Sequence, residues 1–386
     1  MPAIVGWGHT VFGKTPQTLE DLVIAAGSEA LAHAGMPAED VDGIWLGHFN
    51  GGMSGDGFAS SLALGIDDAL RFVPATRLEN ACASGSAAVY AARNAILAGE
   101  TRVALVIGVE KMTHLDTADV TRGLASAAYQ AEEAGISFPE AFARFARAYS
   151  SAYGDQTEAL ARIAVKNHAN AMHNPLAQMH KPLDLEFCMS PSDRNPIIAD
   201  PLKVSDCSLI SDGAAALVMV SDDVAAAMPR SVRFCAAEQA NDFLPVSRRD
   251  LTALHGAKVA IARALDRSGL TLADLHLAEV HDCFTIAELL IYEAMGLTAE
   301  GQGARALEDG TVMPDGDLPV NLSGGLKAKG HPVGATGVSM HVMVARQVSG
   351  DAGAMQRAGA ERGLVVNMGG TGVANYATIL EAERTS

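Results

Sequence analysis

Aromatic residues make up only 5% of this 386-residue chain, and positive charge is scarce. Lys plus Arg number 28 against 45 Asp plus Glu, a formal charge of −17. That deficit excludes a nucleic-acid binder, because phosphate backbones require clustered Lys and Arg. It also opposes adsorption on an anionic membrane. An anionic ligand is still allowed, held by a local basic group or a helix N-terminus. No run approaches the roughly 18 apolar residues of a membrane span. The opening MPAIVGWGHTVFGK lacks the basic-then-apolar layout of a secretory signal. Cysteines are few, odd in number and scattered: Cys82, Cys188, Cys207, Cys235 and Cys283. None forms a C-x-x-C pair, which disfavours both a disulfide scaffold and a zinc site. A reducing cytoplasm is the expected setting, and there a special cysteine is more often catalytic.

Hydrophobic residues are plentiful at 49%, and 38 glycines imply many tight turns and close backbone approaches. The length suits two or three packed units. Helical spacing runs through residues 19–34 and stops at Gly35. Residues 41–46 read as a strand, followed by a glycine-rich loop over 51–57. The stretch ENACASGSAAVYAARNAILAG turns from extended chain into a helix that ends at Gly99. VALVIGVE, residues 103–110, is a continuous apolar run of the kind buried on both faces of a sheet. Residues 111–209 break the rhythm and read as a largely helical insertion. Sheet character returns at 214–223 and 231–239. Residues 257–284 then repeat the plan of 25–49: helix, glycine stop, short acidic turn, and a strand ending beside His and Phe. The turn and helix at 330–348, with a strand at 363–368, repeat the plan of the Cys82 segment. Two similar α/β halves are predicted, residues 1–230 and 231–386.

Four constellations carry possible chemistry. Asn80-Ala81-Cys82-Ala83-Ser84-Gly85 places a cysteine among small residues at a strand-to-helix turn. The partial positive charge and free N–H groups of a helix start favour a thiolate and predict a lowered pKa. The plain alternative is a buried cysteine acting as a small hydrophobe. Gly330-His331-Pro332-Val333-Gly334-Ala335-Thr336-Gly337 holds a histidine just before a helix, where it can exchange a proton with a thiol. The alternative is a capping histidine, and neither nucleotide-loop pattern is present. His281-Asp282-Cys283-Phe284 ends a predicted strand, a favoured site position in α/β folds. A metal site there is disfavoured by the ligand spacing. Asn367-Met368-Gly369-Gly370-Thr371-Gly372 offers backbone N–H groups that suit an oxyanion, or is an ordinary glycine turn. His168 and His173 read as ordinary helix and loop residues, with ligand contact as the alternative.

Taken in order, NACASG, SDGAAA, HDCF, NLSGGLKAKGHPVGATG and NMGGTG resemble the landmarks of the thiolase superfamily along nearly the whole chain. HDCF is similar to the hallmark of its sterol-carrier-protein-type branch. The resemblance implies a duplicated five-layer α-β-α-β-α fold with a loop domain inserted in the first half. It implies homodimers or homotetramers, and for some members a zinc-ribbon/OB-fold partner protein. The expected reaction is carbon–carbon bond making or breaking between acyl-coenzyme A thioesters, without metal or redox cofactor. Cys82 matches the acylated nucleophile, His331 its activator, and Cys283 the group that moves the substrate α-proton. His281 replaces the Asn of an N-E-A-F motif and would line one oxyanion hole with His331. The amides of Cys82 and Gly369 match the second hole. Asn367 stands where many relatives keep a catalytic cysteine. Two thiols of near-neutral pKa are expected. Acyl transfer to a phenolic acceptor, retro-aldol cleavage and a non-catalytic subunit are the other readings that the resemblance allows.

Overall fold

The computed structural model describes residues 1–383. Its centre is one nine-stranded sheet. In chain order the strands are β1 (Ala3–His9), β2 (Gly43–Gly47), β3 (Ala75–Leu78), β4 (Val103–Glu110), β5 (Gly213–Val220), β6 (Val232–Asn241), β7 (Leu277–Val280), β8 (Arg362–Gly369) and β9 (Ala374–Ala382). They lie side by side in the order β3-β2-β4-β5-β1-β6-β9-β8-β7. The first five strands and the last four follow the same plan. β2 and β4 pair in parallel as β7 and β8 do, while β4–β5 and β8–β9 are antiparallel. The missing tenth strand survives as a single parallel bridge, Ala278 to Val320. The two sets join where Ala3 and Ile4 of β1 face Arg233 and Val232 of β6.

The helices that matter for the site are α1 (Leu19–Ala34), α2 (Ser84–Leu97), α3 (Thr117–Ala125), α4 (Phe138–Tyr153), α5 (Thr157–Ala171), α6 (His255–Ser268), α7 (Thr285–Met295) and α8 (Val333–Val348). α1 packs on β1, β4 and β5, and α6 packs on β6 and β9. Between them, α2 and α8 pack on each other and on strands of both sets. The layers therefore run α-β-α-β-α. The middle layer explains why β4 and β5 are buried at every residue, and why they are apolar runs instead of alternating ones. It also explains α8, in which every residue but Arg346 is buried.

The crossing of α2 and α8 depends on glycine. A Cβ on Gly85 would lie 2.8 Å from the Gly334 carbonyl oxygen, and one on Gly337 would lie 2.2 Å from the Ser86 nitrogen. No side chain fits at that approach, so the small residues around Cys82 and His331 serve helix contact. Between β4 and β5, α3, α4 and α5 are joined by shorter helical turns and one hairpin. Among the described residues no helix is long and apolar enough to cross a membrane.

Candidate active site

Cys82 stands two residues before the first residue of α2. The turn that presents it is strained, because Ala81 has φ of 50° without being glycine. Side chains on both flanks hold it there. The Ala81 N–H donates to Glu79 Oε1 at 2.5 Å, and the Ser84 hydroxyl donates to the Ala81 carbonyl at 2.6 Å. Asn80 is tied by its amide to Tyr376 at 2.7 Å. The sulfur faces its own amide and that of Gly370. Both amides favour the thiolate, as the sequence predicts, yet burial outweighs them and pushes the thiol up to about 12. The lowered pKa expected from the helix start is thus corrected: Cys82 rests as a neutral thiol.

His331 stands two residues before α8, the same offset as Cys82 before α2. Its Nδ1 lies 2.7 Å from Thr336 Oγ1, and the Thr336 hydroxyl donates its one proton to the Pro332 carbonyl at 2.9 Å. Thr336 can then only accept from the imidazole, so Nδ1 carries the hydrogen and Nε2 keeps its lone pair. Burial, and then the nearby Lys329 charge, lower the His331 pKa to about 3. The backbone is fixed by Ser211, whose hydroxyl accepts from the His331 N–H at 3.0 Å. Glu110 accepts from the Gly334 N–H at 3.0 Å, placing a carboxylate at the start of α8. One ring nitrogen of His331, one of His281 and the Cys82 sulfur all lie within 4.8 Å of one another.

The HDCF segment follows β7 directly and splits its side chains. The His281 ring meets His331 edge-on, with centroids 5.2 Å apart at 88°. Its Nδ1 lies 2.9 Å from the Asn367 amide nitrogen. Asp282 turns away and accepts from the Leu326 N–H at 2.6 Å and from Asn167 at 2.7 Å. Burial and the neighbouring Glu288 raise its pKa to about 7. The Cys283 thiol is held well above the ordinary range by burial and then by Cys82, so the expectation of near-neutral thiols is corrected here as well. Gly369 packs its Cα against the turn, where a Cβ would come within 2.3 Å of the Asn80 carbonyl oxygen. The amide that reaches the sulfur is that of the next residue, Gly370.

Cys82, Cys283, His331 and Gly370 share the wall of one cavity of about 310 Å³. Its remaining lining is mostly apolar and comes largely from the stretch between β4 and β5, including Met112, Val120, Leu124 and Phe138. His168 is buried with Nδ1 2.9 Å from the Lys181 carbonyl, His173 is exposed, and neither lines the cavity. Sequence reasoning missed Glu110 and named Thr336 and Gly370 only within longer motifs, because their contacts with His331 and Cys82 are made only after folding.

The fold has close counterparts. Residues 3–186 match the family model "Thiolase, N-terminal domain", and residues 237–382 match "Thiolase C-terminal domain-like". An acetyl-CoA acetyltransferase of Methanothermobacter thermautotrophicus is 39% identical over 375 residues, 96% of each chain. Sterol carrier protein 2 of Bos taurus is 32% identical over 385 residues, covering 95% of this chain and 69% of the relative. Among solved structures, an Ltp2-ChsH2(DUF35) aldolase superposes with a TM-score of 0.84 at 26% identity, covering 100% of this chain and 98% of the other. The chain belongs to the thiolase family and is an acyltransferase.

Proposed function

We propose that this enzyme makes or cleaves 3-ketoacyl-CoA through an acyl-enzyme on Cys82. The supporting observation is that the Cys82 thiol, the lone-pair nitrogen of His331 and the Cys283 thiol converge on one apolar cavity. As the Cys82 sulfur attacks an acyl-CoA carbonyl, its proton passes to His331 Nε2. The carbonyl oxygen gains charge against the amides of Cys82 and the Gly369–Gly370 turn. The carbon–sulfur bond to CoA breaks, and Cys283 gives its proton to the departing CoA sulfur. Cys283 then takes the α-proton of a second acyl-CoA, restoring its thiol. The enolate oxygen is held by His281 and His331, and the enolate carbon attacks the acyl group. Cys82 leaves as a thiolate and recovers its proton from His331.

Incubation with acetyl-CoA should leave an acyl adduct on the Cys82 peptide, detected by mass spectrometry. Cys283→Ala should still form that adduct, more slowly because the departing CoA loses its proton donor, and should lose condensation by at least about 100-fold, the scale of a general base. Absence of an adduct with several acyl-CoAs would instead favour retro-aldol cleavage, the reading suggested by the aldolase relative. We further infer a two-half division near residues 230 and 231, a homo-oligomer, and a second component of the kind implied by the relative's name, Ltp2-ChsH2(DUF35).

A further inference from the structure

The usual cysteine position is occupied by Asn367, and the contacts of Asn367 give it a definite task. Its Oδ1 accepts from the Ser86 hydroxyl at 2.8 Å. Its Nδ2 lies 3.4 Å from the Cys82 carbonyl and 2.9 Å from His281 Nδ1. Turning the amide over would set its oxygen against the Cys82 carbonyl, acceptor against acceptor. The N–H groups therefore face Cys82 and His281. A neutral imidazole that accepts at Nδ1 carries its hydrogen on Nε2. Burial keeps His281 neutral, and its Nε2 is buried without a partner. The two adjacent histidines thus hold opposite tautomers: His331 keeps a lone pair at Nε2, and His281 keeps a free N–H there.

The same cluster has the donors of a zinc site. One sulfur and two neutral imidazoles within 4.8 Å match common zinc ligands in type and number. Metal-bound histidines normally donate their second N–H to a carboxylate or carbonyl. Asn367 does the reverse and donates into the ring. Whichever His281 nitrogen faces the cluster, it has no lone pair to give: Nδ1 is occupied by the Asn367 N–H, and Nε2 is protonated.

We propose that Asn367 is a positioning residue that locks His281 as the Nε2–H tautomer, arming it as a donor to substrate oxygen while denying the Cys82–His281–His331 cluster to divalent metal ions. The donor half of this proposal rests on the thiolase reading above, and both tautomer and metal affinity are measurable without turnover. Nitrogen-15 NMR of histidine-labelled protein should show Nε2–H for His281 and Nδ1–H for His331, assigned by their loss in His281→Asn and His331→Asn. Asn367→Asp would accept from Nδ1–H and free a lone pair. It should bind Co²⁺ or Zn²⁺ about 10- to 100-fold more tightly than the wild type, the range seen for outer-shell partners. The thiolate-to-cobalt absorption band should appear as the Cys82 proton is released, and should vanish with Cys82→Ala added. Asn367→Ala should fall between. A wild type that binds Co²⁺ as tightly as Asn367→Asp, or a His281 spectrum showing Nδ1–H, overturns the proposal. If Asn367→Asp does not fold, the wild-type spectrum decides. A missing Cys82 adduct would sink the thiolase reading and leave the spectrum unaffected, so the two failures are separable.

Discussion

His48 and His281 occupy matching places in the two halves, each directly after the second strand of its set, β2 or β7. Both are fully buried. Their partners differ in kind. His281 faces the amide of Asn367, while His48 Nε2 lies 3.1 Å from the carboxylate of Glu110 without reaching hydrogen-bond geometry. Glu110 spends its oxygens on backbone, accepting from Phe49 at 3.0 Å, Asn50 at 3.1 Å and Gly334 at 3.0 Å. The first copy sits beside the carboxylate that ties the Phe49–Asn50 backbone to α8, and the second has one ring nitrogen against the Asn367 amide. The lesson is that duplication supplies the position, while the side chain set beside it, a carboxylate or an amide, differs between the halves.

Removing the Glu110 carboxylate should have the largest effect on stability. Glu110→Ala leaves three N–H groups without their acceptor, at about 1–3 kcal/mol for each one that stays dry. Urea titration should therefore show a loss of several kcal/mol, and a loss under about 1 kcal/mol would break the contrast with Asn367. The chemical side should respond next. Thr336→Val removes the acceptor that fixes the His331 tautomer. Single-turnover acylation should slow about 10- to 100-fold with little change in KM, and an unchanged rate would show that Nε2 is not the base.

Acid should act on the fold through buried histidines, among them His281, which desolvation holds well below the ordinary value. His9 and His331 are lowered to about 3, and His168 and His341 to about 4, by desolvation. In the unfolded chain each titrates near 6.5, so below that pH the unfolded state binds more protons. Stability from these groups is complete above about pH 6.5 and should drain away as pH falls toward 4 and 3. Denaturant midpoints that stay flat from pH 7 to 4.5 would contradict this. The smallest effect is expected at Cys207, which lines the cavity but directs its thiol to the Lys203 carbonyl at 3.3 Å. Cys207→Ser should change kcat by less than about twofold; a tenfold loss would add a third thiol to the chemistry.

Much of this was readable in the chain. The apolar run of β4, the glycine stop after α1 and the ordered landmarks around Cys82, Cys283 and His331 each follow from local pattern. The contacts that tune the site do not. Glu110 meets Gly334, and Ser86 meets Asn367, across more than 200 residues of chain, and periodicity carries no record of such meetings. The pKa direction of Cys82 failed for a related reason: a helix start is visible in sequence, but the depth of burial that overrules it is a property of the whole fold. Asn367 was legible only as a missing cysteine, because its value lies in which way its amide points.

The glycine-built crossing of α2 and α8 sets how far this enzyme can diversify. Cys82 and His331, the proposed nucleophile and base, ride on two rods whose separation tolerates no added atom, so their spacing is inherited as a fixed gauge. The cavity wall comes from a different stretch of chain, over α3 and the start of α4, which does not set that gauge. New acyl groups can be accommodated by redrawing that wall while the interval between sulfur and imidazole stays as it is.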